Sequence, residues 1–252
     1  VPGPAELLPL AACAYGLALG LVLVPREGAL PPARAALGVG LLLHFAWLTW
    51  RGFAIAFLPL TTKTESFSAA GFALALVAGG AWLPSRLFLA PQLLLALAAT
   101  AAAALGPQDF NEPGPLLRTW WYPAHVPLSF VGLATWSAAA AAGLAWAGTK
   151  DRVWLQRTDR FALQGLGLWS LAMVFGGVWG VVAWGSYFLW DPKLVWSTIL
   201  WFHYASFVHV KLAPSLQARP WVRPVLAWLG VFWVLVAYVG TSLFFGRSTH
   251  AF

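Results

Sequence analysis

The sequence predicts an all-α integral membrane protein of about eight transmembrane helices in one bundle, with both termini extracytoplasmic. Its 252 residues are 60% hydrophobic and only 9% charged, more apolar surface than a water-soluble fold can bury. The apolar residues fall in blocks of about twenty, the length at which a helix crosses a hydrocarbon core of ~30 Å. Period-two alternation is absent and Leu, Ala and Val runs dominate, which argues against a β-barrel.

The blocks lie at 5–24, 35–58, 66–83, 86–106, 123–147, 161–183, 194–212 and 223–245. Nothing around Val22 to Arg26 resembles a small-residue cleavage site, so the first block is expected to be a retained helix. It carries Cys13, the one cysteine. A lone thiol excludes a CxxC redox pair and an intramolecular disulfide, and Cys13 is expected to be a small core residue. The second block holds His44 at mid-depth and Arg51 near its outer end; for His44, hydrogen bonding between helices is the plain expectation. The fifth opens beside His125. Before the seventh, Asp191-Pro192 has the form of an N-cap followed by a first-turn proline, and capping is the favoured role for Asp191. No appended soluble domain, low-complexity tract or internal repeat is evident, so residues 1–252 are expected to form one polytopic domain.

Charge sets the orientation. The net charge of +7 is spread over the connections rather than gathered in one patch, which argues against nucleic-acid binding. Alternate connections hold Arg26, Arg34, Arg86, Lys150, Arg152, Arg157, Arg160, Lys211, Arg219 and Arg223, against Arg51, Lys63, Arg118, Lys193 and Arg247 on the other side. By the positive-inside rule the first set is cytoplasmic. The connections near 59–65, 107–122, 184–193 and 246–252 then face outward, and with them His125 and His250.

The stretch 179–193 is the most informative. Trp179, Trp184, Trp190, Trp196 and Trp201 make five of the seventeen tryptophans, too many within 23 residues to pass over. A membrane-interface belt is one reading, since indole favours the headgroup level. The other is a flat, apolar, π-faced platform, with Gly180 and Gly185 permitting a tight path among large rings. A porphyrin is a ligand that such a surface suits.

Trp184-Gly185-Ser186-Tyr187-Phe188-Leu189-Trp190-Asp191-Pro192-Lys193-Leu194, with Trp201, Tyr204 and His209 beyond, resembles the WWD motif of haem-handling proteins, WGxYWxWDPKE. Phe188 stands for the family's Trp and Leu194 for its Glu; Leu194 also resembles the WDxRL form of the CcmC branch. Pro59–Ser66 is similar to the PLSNxYES loop of the CcsA (ResC) cytochrome c biogenesis family. Trp120–Val126 is similar to that family's W-x-x-x-HV stretch, and His250 to its C-terminal histidine.

The CcsA resemblance implies haem b as cofactor and 176–196 as the haem-binding segment. Trp179, Trp184, Gly185, Tyr187, Phe188, Trp190 and Asp191 are then candidate contacts, and His125 and His250 the outer axial iron ligands. His209, about eighteen residues beyond Asp191 and so ~27 Å deeper, matches an intramembrane haem histidine. Residues Arg118, Lys193 and Arg247 are candidate propionate partners; His203 is read as structural.

The resemblance also implies the protein's partners and place: a CcsB/ResB-type membrane protein, an apocytochrome c with its CxxCH segment, and the bacterial cytoplasmic membrane or a thylakoid-like equivalent, active on the outer face. Haem would pass from His209 to the outer platform for thioether formation, making the chain part of a holocytochrome c synthase rather than an enzyme alone. Two other readings stand beside it: CcmC-type haem delivery to a chaperone, and a multi-span transporter unrelated to haem.

Overall fold

The computed structural model describes residues 4–81 and 83–240; His250 and Arg247 lie outside the described residues. Among the described residues, eight long helices overlap the eight apolar blocks: α1 (Leu7–Leu23), α2 (Leu30–Ile55), α3 (Lys63–Gly80), α4 (Arg86–Leu105), α5 (Trp121–Thr149), α6 (Arg152–Trp184), α7 (Pro192–Leu212) and, after a four-residue α8 (Pro214–Gln217), α9 (Val222–Leu235). A π-turn over Val236–Gly240 prolongs α9. No strand occurs among the described residues. Five of the helical segments are long and apolar enough to cross a bilayer: Pro4–Leu23, α2, α4, α5 and α6. The chain is thus an all-helical membrane protein, and α3 and α7 fall short by composition, with Lys63, Glu65, Lys193, His209 and Lys211 on them.

The chain divides into two compact units, Val1–Thr119 and Trp120–Phe252. In the first, α1 packs on α2 and α4, and α3 on α4 and α2. Helices α1 and α2 approach closely because Gly40 lies under Tyr15: a Cβ there would meet the ring at 2.5 Å. Next to this contact the Tyr15 hydroxyl is 3.3 Å from His44 Nδ1, and His44 Nε2 is 2.8 Å from Ser68 Oγ. His44 is therefore a buried tie joining α1, α2 and α3, as the plain expectation for it held. Ser68→Ala would leave its Nε2 buried without that partner, and a loss of about 1–3 kcal/mol in detergent-phase stability is expected.

Cys13 lies in α1 but is exposed, a correction to the expected core position. Helix α1 buries the face of Leu8, Ala11, Ala12, Tyr15, Ala18 and Val22 instead, and Cys13 falls outside that stripe.

At the start of α3, Thr62 and Glu65 form a reciprocal capping box. Glu65 also holds Arg51 of α2, Oε1 accepting from Nε at 2.8 Å. The remaining guanidinium nitrogens donate to the carbonyls of Gln108 (2.8 Å) and Asp109. The connection after α4 is so fastened to α2 and α3.

In the second unit, α5 and α6 form an antiparallel hairpin whose turn is only two residues long. Lys150 closes α5 in the left-handed conformation (φ 58°), and Asp151 caps α6 by accepting from Val153 N at 3.0 Å. Residues equidistant from that turn must then face one another. Trp136 meets Gly165, Gly132 meets Trp169, and His125 meets Gly176, each large ring opposite a residue without a side chain. Helix α9 packs on α5, α6 and α7. His203 Nε2 is 2.8 Å from Leu226 O, joining α7 to α9 as its structural reading requires.

Candidate functional site

A cavity of about 230 Å³ lies between the first half of α5, the second half of α6, the start of α7 and the π-turn. Of the candidate contacts, His125, Trp179, Trp184, Tyr187 and Phe188 line it. Gly185, Trp190, Asp191 and His209 do not.

His125 sits one turn into α5, where the hairpin sets it against Ala172 and Gly176 of α6. Its Nδ1 is 2.7 Å from Ala172 O. A carbonyl only accepts, so Nδ1 carries the proton and Nε2 keeps its lone pair. Gly176 makes this seat possible: a Cβ there would lie 2.6 Å from Nδ1 and 2.7 Å from Cε1. The imidazole also stacks on Trp179, with ring centroids 6.3 Å apart and planes inclined by 23°. Trp179 is in turn held edge-on by Tyr122 (5.1 Å) and Trp184 (4.8 Å). An imidazole fixed in orientation and tautomer by a carbonyl behind it is the usual arrangement of a metal-ligating histidine.

The loop after α6 folds back as the glycines permit. Gly185 closes the helix at φ +72°, with its N–H on Val181 O at 2.9 Å. Ser186 O then passes so near Gly180 that a Cβ there would be 2.8 Å from it. The Ser186 hydroxyl donates to Phe188 O at 2.8 Å, setting the turn that carries Tyr187 and Phe188 to the cavity mouth. Trp190 points outward, 89% exposed, against the edge of Phe188. Asp191 caps α7 by accepting from Lys193 N at 2.9 Å, with Pro192 following it in the first turn.

His209 is exposed in the last turn of α7. Of the two remaining indoles, Trp201 fastens α7 to α6 through Ser170 Oγ (2.8 Å), and Trp196 stacks on Trp233 of α9. Sequence reasoning missed Trp169 and Met173 on the α6 wall and, although Gly176 opens the segment 176–196, gave it no role. The signal for them was available in the two-residue turn, which fixes the α5–α6 register.

Fold and cavity together define an all-helical membrane protein with an oriented imidazole on an aromatic wall. Residues 38–246 match the family described as cytochrome C assembly protein, and the chain belongs to that family. It is 32% identical over 162 residues to the cytochrome c biogenesis protein CcsA of Synechococcus sp., a match covering 57% of this chain and 45% of that protein. With CcsA of Prochlorococcus marinus subsp. pastoris it shares 37% identity over 94 residues, 37% of this chain and 29% of the relative. Among solved structures, the cytochrome c heme lyase CcmF shares the fold, with a TM-score of 0.74 at 21% identity over 100% of this chain and 48% of that one. The chain spans less than half the length of these proteins.

Proposed function

We propose that the chain handles haem b on the extracytoplasmic face of a bacterial-type membrane and presents it to the CxxCH segment of an apocytochrome c, together with a CcsB/ResB-type partner. The observation that carries this reading is the seat of His125: Nδ1–H is given to Ala172 O, and Nε2 is left as a donor to iron beside a wall of Trp179, Trp184, Tyr187 and Phe188. The cavity is smaller than the roughly 300–1,000 Å³ that encloses a drug-sized ligand. It suits part of a flat macrocycle, as a platform would. Two imidazoles are the expected axial set of a low-spin haem protein. His250 is the proposed second ligand, and His209, exposed on α7, the contribution to a site shared with the partner.

Haem held there supplies the iron and vinyl chemistry of thioether formation, while the chain supplies ligation, orientation and apolar cover. The eight helices are proposed as eight spans with both termini outward. The excess of Lys and Arg on the opposite connections supports that sidedness.

The visible spectrum of the detergent-purified protein tests the reading. A bis-imidazole Soret band is expected in the wild type, shifted or lost in both His125→Ala and His250→Ala, and restored in His125→Ala by added imidazole. An unchanged spectrum in both variants would sink the outer-site assignment.

A further inference from the structure

We propose that the end of the second unit remote from the His125 cavity, where α6 and α9 begin and α7 ends, takes the headgroup of an anionic phospholipid, with Arg152, Lys211 and Arg223 as the cations for its phosphate.

Charge is out of balance there. Between Lys150 and Arg160 and between His209 and Arg223 the chain has seven lysines and arginines against two aspartates. Both aspartates are already engaged: Asp151 accepts from Val153 N as the cap of α6, and Asp159 lies 3.3 Å from Arg223 Nε of α9. Lys211, in the last turn of α7, acts on the same Asp159 carboxylate. One negative charge thus draws the ends of three helices together and faces two cations. Arg152 stands seven residues before Asp159, about two helical turns and so on the same face of α6, and like Lys211 it is exposed. A phosphodiester supplies the negative charge that this junction lacks.

Depth selects a lipid over a soluble anion. Helix α6, with 33 residues, is about 50 Å long against a hydrocarbon core of ~30 Å, and its opening stretch Arg152–Arg160 precedes the apolar block. Indoles mark the same level: Lys150 Nζ lies 4.5 Å over the Trp146 ring and Arg157 Cζ 5.6 Å over that of Trp154, while Trp221, just before α9, is half exposed. Indole favours the headgroup region, and basic clusters between helices at that level bind lipid headgroups. Hydrocarbon flanks the cations as an amphiphile requires. Val208 and Leu212, three residues before and one after Lys211 on α7, are exposed, and so is Val153 beside Arg152.

The full chain in detergent is titrated with phosphatidylglycerol and with phosphatidylcholine of the same acyl chains, and the complexes are counted by native mass spectrometry beside the melting temperature. Phosphatidylglycerol is expected to bind roughly tenfold or more tightly, at roughly fivefold for each basic residue near an anionic headgroup. Arg152→Gln/Lys211→Gln should lose that preference and keep the melting temperature of the lipid-free protein, because the Arg223–Asp159 pair stays in place. Arg152→Lys/Lys211→Arg, with both charges kept, should bind as the wild type does. Arg26→Gln/Arg86→Gln, which removes the same charge from the other unit, should also keep the preference. Equal binding of the two lipids by the wild type, a loss in the charge-preserving variant, or equal losses in the two glutamine variants overturns the site. Uptake of inorganic phosphate or of a polyglutamate peptide with the affinity of the lipid overturns it too, since the junction would then take anions of any kind. Soret absorbance per mole of protein is expected to be the same in all of these variants, so a failure here and a failure of the haem proposal are distinguishable.

Discussion

Gly176→Ala is expected to reduce haem retention at least tenfold, while Gly177→Ala, one residue along the same helix, leaves it unchanged. The added methyl of Gly176→Ala would meet His125 Nδ1 at 2.6 Å and Cε1 at 2.7 Å, whereas at Gly177 the nearest atom, Tyr187 Cδ1, is an ordinary 3.8 Å away. Both changes gain the helix propensity of alanine, roughly 1 kcal/mol, so a difference between them reports the imidazole and not the helix. To relieve the contact the His125 ring must leave Ala172 O, which frees its tautomer and rotation together. A ligand displaced by about 1 Å loses its directed bond to a metal. Soret absorbance per mole of protein, measured beside the melting temperature in the same detergent, separates the outcomes. Equal haem content in the two variants, at equal stability, would show that the α6 seat does not govern ligation.

How much of this was legible beforehand depends on whether the cause is local. The helices were, because each apolar block carries its own length and its own punctuation. Asp191-Pro192 announced the start of α7, and the structure shows that cap. Two boundaries moved for physical reasons. Helix α2 begins at Leu30, ahead of the block at 35, because Pro31 and Pro32 sit in its first turn, where a missing N–H costs nothing. Helix α6 begins at Arg152, well ahead of 161, because its opening turns carry Arg152, Arg157, Asp159 and Arg160. Hydropathy does not register them, yet Asp151 caps them as helix.

The site was legible only in part. His125, Trp179 and Trp184 emerged from motifs, but the tryptophans near them in sequence do not all turn to the cavity. Trp190 turns outward and Trp201 fastens helices together. Gly176 and Met173 belong to the site through the pairing of α5 with α6, a register fixed 25 residues away at Lys150-Asp151. A hydropathy scan contains no term for that.

Glu65→Ala is expected to be among the most damaging single changes in the unit Val1–Thr119, costing about 3–5 kcal/mol. Its carboxylate and the Arg51 side chain are both essentially buried. Besides Arg51 Nε, Glu65 accepts from Thr61 N (2.7 Å), Thr61 Oγ1 (2.9 Å) and Thr62 N (3.2 Å), so its loss leaves the Arg51 charge without its counterion and its Nε–H and two backbone donors without their acceptor at once. Arg51 would still bond Gln108 O and Asp109 O and still lie 4.5 Å from the Phe110 ring centroid, which holds the positive charge in place without its counterion. Thermal denaturation of Glu65→Ala, Arg51→Met and the double variant forms the test. The double variant should be less destabilised than the two singles summed, since removing both charges leaves no uncompensated ion. Strict additivity, or a Glu65→Ala protein within about 1 kcal/mol of wild type, would mean that the pair does not clamp the connection. Pro59–Ser66, one of the segments that carried the family resemblance, thus has a mechanical meaning in this fold: it places the carboxylate that joins α2, α3 and the segment after α4.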